Sequence, residues 1–187
     1  MKRFARSIFP SFLALSAVVS AASAVDAEKV RPAVPADQTL QVVLHDQSLP
    51  DRQEAWTQDS FSMDRESAFI AAFKAAWKEA GVKNALEFER FAAGVDVKPP
   101  SLRVTLQRWS TTPPRSGPSV SFDMLIAAEL RLADREIELG NFSAQESHLP
   151  MGRRLDADDF QKVADQVVGD LVKALTEAVK FETGAAD

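Results

Sequence analysis

From Val120 to Leu132 every second residue is apolar: Val120, Phe122, Met124, Ile126, Ala128, Leu130 and Leu132. A pleated strand throws successive side chains to opposite faces, so all seven share one face. The stretch predicts a long central strand lying on a core. Its other face carries Ser121, Asp123, Glu129 and Arg131, with Leu125 and Ala127 in mid-strand, and reads as mostly wet.

The following segment, Ile137 to Glu146, is placed against this strand by parity. Facing residues of an antiparallel pair share a side, so a four-residue loop over Ala133 to Glu136 sets Leu132 opposite Ile137 and Leu130 opposite Leu139. Phe142 and Ala144 then fall on the wrong parity. Glycine in a strand often marks an inserted residue, so a bulge at Gly140 to Asn141 is expected, returning Phe142 to the core.

Earlier strands follow the same rule. Thr39 to His45 places Leu40, Val42 and Leu44 on one side and Val43 on the other; Leu86 to Phe91 and Leu102 to Trp109 are two further strands. In the last of these Leu102, Val104 and Leu106 point inward, and Arg103, Thr105, Gln107 and Trp109 point outward. The loop Thr111 to Pro118 is rich in residues that cannot join a ladder.

Two stretches change period from two to three and four. Ser62 or Asp64 caps a helix whose Phe69, Ile70, Phe73, Ala76, Trp77 and Ala80 form one stripe, with Gly81 as its left-handed stop. The aromatic stripe Phe69, Phe73, Trp77 reads as core packing rather than a ligand slot. A second helix is capped by Asp156, carries Asp158 and Asp159 in its first turn and runs to about Lys180. Its stripe is Phe160, Val163, Val167, Val168, Leu171, Val172, Leu175, Ala178 and Val179. Each large side chain there stabilises by roughly 1.5 to 3 kcal/mol when buried, so cutting the chain at Asp156 is expected to abolish folding.

Two singly striped helices and a sheet with one apolar face predict an α+β fold. The arrangement is a two-layer sandwich, a mostly antiparallel sheet of four or five strands with two helices packed on one face. Its limits are residues 39–181, preceded by an extended segment 25–38 without fixed structure and followed by a flexible tail 182–187. Trp56, in the irregular stretch Gln47 to Phe61, is expected to fold back over the edge of the core; a binding contact is the alternative.

Residues 1–24 pose a separate question. Lys2, Arg3 and Arg6 precede an apolar run, Ile8 to Val19, which ends in Ala22-Ser23-Ala24. These are the parts of a secretory signal peptide, with cleavage after Ala24. The run is about a dozen residues, against roughly 20 for a membrane-spanning helix. Periplasmic export is the reading, secretion the alternative. Of 22 Lys and Arg residues three fall in this leader, leaving 19 against 27 Asp and Glu, a net of −8. That acidity disfavours nucleic acid as a partner. The absence of cysteine excludes disulfides, thiol nucleophiles, thiolate metal sites and a lipidated cysteine.

Chemistry-bearing residues are sparse. His45 and His148 are the two histidines, and neither has zinc-ligand spacing. His45-Asp46 lacks an accompanying nucleophile motif, no glycine-rich phosphate cradle occurs, and Asp156 to Asp159 reads as capping rather than an ion site. The expectation is a non-enzymatic protein with no catalytic, cofactor or metal residues. What remains is surface: Arg103, Gln107, Trp109, Leu125 and Arg131, gathered on the outward sheet face, are the candidate partner-binding residues. The loop carrying Trp56 covering that face is the alternative.

With its signal peptide, its β-α-β-β-β-α order, the strand pair Ala128 to Phe142 and the closing helix Val163 to Leu175, the chain resembles small, poorly characterised bacterial envelope proteins, among them auxiliary proteins of ABC-type transport systems. It departs from them in lacking the cysteine that many use to carry a lipid. The resemblance implies a periplasmic protein that binds, or helps assemble, a cell-envelope component, with an envelope protein or lipid-like ligand as partner. A soluble carrier of a small apolar ligand, or an enzyme with an unrecognised site, is the alternative.

Overall fold

The computed structural model describes residues 31–48, 65–92, 97–112, 120–148 and 157–183. Expectations for the leader, Trp56, the caps at Ser62, Asp64 and Asp156 and the loop beyond Thr112 lie outside these residues. The elements run β1 (Ala33–Val34), β2 (Leu40–Asp46), α1 (Arg65–Glu79), β3 (Leu86–Arg90), β4 (Ser101–Thr112), β5 (Val120–Arg131), β6 (Glu136–His148), α2 (Ala157–Ala178) and β7 (Lys180–Phe181). The main sheet has the order β3-β2-β4-β5-β6. β2 runs parallel to both its neighbours, whereas β4, β5 and β6 form a long antiparallel meander, so the sheet is mostly antiparallel.

Both helices lie on the face set by the alternating apolar residues. The predicted stripe of β5 is buried from Phe122 to Leu130, joined by Leu40, Val42, Leu102, Val104 and Leu106. From α1, Phe73 meets Phe88 of β3 edge-on at 5.8 Å; from α2, Phe160 meets Phe122 edge-on at 4.2 Å. Gln161 of α2 donates from its amide to the Ala68 carbonyl of α1, so the helices lie side by side. The α+β two-layer sandwich is therefore the fold, and the aromatic stripe of α1 is core.

Helix α1 ends as its sequence demands. Gly81 has φ 67°, its N–H donates to Lys78 O and that of Val82 to Trp77 O, the paired bonds of a Schellman stop. The indole of Trp77 donates in turn to Asn84 O at 2.9 Å.

Several expectations are corrected by pairing over long range. Residues 31–38 are not without structure. β1 pairs in parallel with β7, burying Val34 and Phe181, and the Phe181 ring packs edge-on against Trp77 at 5.0 Å. The tail is tied as far as Thr183, which bridges Val82. Helix α2 stops at Ala178, so Lys180 is a strand residue.

The β5–β6 turn occupies Leu132 to Arg135, closed by Leu132 N–H to Arg135 O, and Leu130 faces Ile137 rather than Leu139. The bulge exists but one residue earlier than expected: the register shifts at Leu139, and Gly140, at φ 100°, faces Ala128. The ladder then runs unbroken through Gly140 and Asn141, and Phe142, opposite Ile126, returns to the core side.

A second shift, between Leu106 and Arg108, leaves Gln107 as the extra residue of β4. One inserted residue reverses the facing of all that follows.

Candidate outer-face binding site

The sheet face away from the helices is built by the off-phase residues of β2, β4, β5 and β6. Arg103 stands opposite Glu129 in register and pairs with it at 3.9 Å; Arg131 stands opposite Glu136 and pairs at 3.7 Å. Leu125 lies half-buried on this face between them and a third pair, Arg108–Asp123 at 3.0 Å. Exposed pairs of this kind contribute ~0–1 kcal/mol each, so they shape the charge pattern of the face more than they hold the fold.

Of the five sequence candidates, the structure thus places Arg103, Leu125 and Arg131 on one surface. Gln107 is exposed at the bulge. Trp109 is corrected: it is 2% exposed, faces Met124 and meets the Phe122 ring edge-on at 5.3 Å, inside the core. The extra residue at Gln107 turned it inward, and Arg108 occupies the outward position instead.

Three residues that sequence reasoning did not single out complete the site. Val43 is only 3% exposed although it points away from the helices, and with Phe91 and Val97 it forms the apolar part of a cleft of about 210 Å³. Arg103, Glu129, Arg131 and Glu136 surround that part with both signs of charge. A valine on the wet side of β2 was the available signal. Phe91 has 40% of its surface exposed and stacks on the His45 ring at 4.3 Å.

A second cleft, of about 510 Å³, opens where β2 and β3 end, lined by His45, Asp46, Arg65, Glu66, Arg90 and Phe91 among others. His45 and Asp46 are successive strand residues and point to opposite faces. Asp46 accepts from the N–H and hydroxyl of Ser48 and pairs with Arg65 at 3.7 Å, while His45 Nδ1 lies 3.2 Å from Gln47 Nε2. The two do not form a dyad. Arg90 is ion-paired with Glu66.

At the β5–β6 turn the Arg135 guanidinium hydrogen-bonds Asp134 and holds its carboxyl below the ordinary carboxylate range. Among the described residues no group of three or more potential metal ligands is assembled, and no helix is long and apolar enough to cross a membrane.

Fold and face together define a class, an α+β sandwich whose sheet surface opposite the two helices is laced with ion pairs around an apolar cleft. No family model matches the chain, and no curated protein does. Among solved structures it is similar to the PelC dodecamer from Paraburkholderia phytofirmans, at 10% identity over 77% of this chain and 91% of that one, with a TM-score of 0.45. It is similar also to a DUF330 protein from Xanthomonas campestris, at 11% identity, 80% and 89% coverage and a TM-score of 0.45. A lipoprotein from Neisseria meningitidis is similar at 17% identity, 75% and 96% coverage and a TM-score of 0.34.

Proposed function

We propose that this is an exported, non-enzymatic protein of the bacterial envelope that works by binding, its outer sheet face docking an envelope component. The observation that carries the reading is the cleft made by Val43, Phe91 and Val97 within a frame of Arg103–Glu129 and Arg131–Glu136 pairs. An apolar centre inside a polar, charged rim is the anatomy of a protein-docking surface. Export rests on Lys2, Arg3 and Arg6, the run Ile8 to Val19 and Ala22-Ser23-Ala24. The resemblance to auxiliary proteins of ABC-type systems would place the docked component in a transport assembly.

The test is capture of partners from the protein's own envelope fraction, with mass spectrometry of bait and prey, comparing the wild type with Val43→Glu and with Arg103→Glu. A bait that begins at Val25, and an envelope protein retained by the wild type and lost in both variants, is the expected result. A cytoplasmic bait that keeps residues 1–24 refutes export, and a partner retained by both variants refutes the face.

A second reading, a ligand-binding or catalytic cleft, has one observation in its favour. Arg65, Glu66, Arg90 and His45 converge on the larger cleft at the carboxyl ends of two parallel strands, where open sheets commonly bind small molecules. Thermal stabilisation of the protein by a small metabolite, lost in Arg65→Ala, would favour it.

A further inference from the structure

The two edges of the sheet are built differently. β3 is five residues long and carries Glu87, Glu89 and Arg90, a short, charged edge of the kind that discourages strand addition. β6 is thirteen residues long and contains neither proline nor lysine. Among the described residues its only strand partner is β5, which leaves the backbone groups along its other side without a ladder. Beyond the bulge, the outward side chains Asn141, Ser143 and Gln145 are exposed and uncharged, and the acids Glu136 and Glu138 lie on the far side of Gly140.

We propose that a second copy of this chain pairs with β6 along this edge, antiparallel and two-fold about Ser143, so that two five-stranded sheets become one of ten strands. The register follows from the side chains. Centred on Ser143, the pairing sets Phe142 against Ala144 on the helix side, Asn141 against Gln145 on the outer side, and Gly140 against Glu146. Centred on Ala144, it sets Phe142 against Glu146. Apolar opposite apolar and amide opposite amide is the favourable cross-strand pattern, and no like charges meet in it. Phe142, half-buried at the sheet margin, gains cover from the partner strand. An edge pairing of this length buries less surface than a standard interface, so dimerisation at about micromolar concentration is expected. This inference is independent of what the outer-face cleft binds.

The chain from Val25 to Asp187 contains every described element and is the material for the test. Sedimentation should show a dimer forming over about 1–100 µM, with Ser143→Lys weakening it by about tenfold or more and leaving the circular dichroism unchanged. Mixing Ser143→Lys with Ser143→Glu should restore association as a heterodimer. Because the native chain has no cysteine, single cysteines report register: Ser143→Cys should oxidise to a covalent dimer, since directly opposed Cβ atoms lie about 4.5–5.5 Å apart. Asn141→Cys should cross-link with Gln145→Cys and not with itself. A monomer throughout that range, association insensitive to Ser143→Lys, or Asn141→Cys cross-linking with itself as fast as Ser143→Cys would each overturn the proposal.

Discussion

Trp109 sits directly opposite Met124, one step out of the register that pairs Leu106 with Ile126. The step is Gln107, an exposed residue whose own side chain contributes little, and its consequence is the burial of an indole that strict alternation would point to solvent. Deleting Gln107 removes the extra residue and leaves Arg108 opposite Leu125 and Trp109 opposite Met124, so the indole stays in the core. Trp109→Ala should cost what losing a buried tryptophan costs, roughly 3–5 kcal/mol, whereas Gln107→Ala should change stability by less than about 0.5 kcal/mol. Urea denaturation of the two substitutions separates the indole from the side chain at the bulge, and tryptophan fluorescence should show no red shift in the deletion.

Asn84 is 3% exposed and its amide donates to Pro35 O at 2.7 Å and Gln38 O at 2.9 Å, which fastens the chain between β1 and β2. Asn84→Ala removes both donors and leaves two carbonyls to find water. A loss of about 1–3 kcal/mol is expected. Hydrogen exchange should reveal faster opening of residues 33–40 in this variant, with the β4–β6 meander unaffected.

Gly140 and Gly169 both have open space where a Cβ would stand, yet substitution should act in opposite directions. At φ 100° Gly140 occupies backbone territory that side chains disfavour, so Gly140→Ala should cost about 1–3 kcal/mol. Gly169 lies inside α2, where alanine is the better helix former, and Gly169→Ala should raise stability by about 0.5–1 kcal/mol. Thermal melts that move the same way for both would contradict this account.

Helix α2 contributes Phe160, Val163, Val167, Val168, Leu171, Val172 and Leu175, and Val179 follows it directly, none more than 2% exposed. Without it the core side of β5 would face water. A chain ending at Asp156 should therefore show no cooperative thermal transition. A milder cut after Val179 removes the Phe181 ring from Trp77 and the partner of β1, and should fold with a lower midpoint.

What could be read from the chain was what repeats over a few residues. The alternation of Val120 to Leu132 and the three-and-four spacing of Phe69 to Trp77 and Phe160 to Val179 specify element type and inward face, because both depend on backbone geometry alone. Gly81 and Gly140 marked their stop and bulge because they supply backbone conformations that other residues resist. Tertiary structure decided what depends on a distant partner. A bulge at Gln107 carries no glycine to betray it, and the two-residue pairing of Ala33–Val34 with Lys180–Phe181 is too short to show a period. The outer cleft joins Val43 to Arg103, Glu129 and Arg131 across three strands, so its assembly exists only once the strand order β2-β4-β5 is in place.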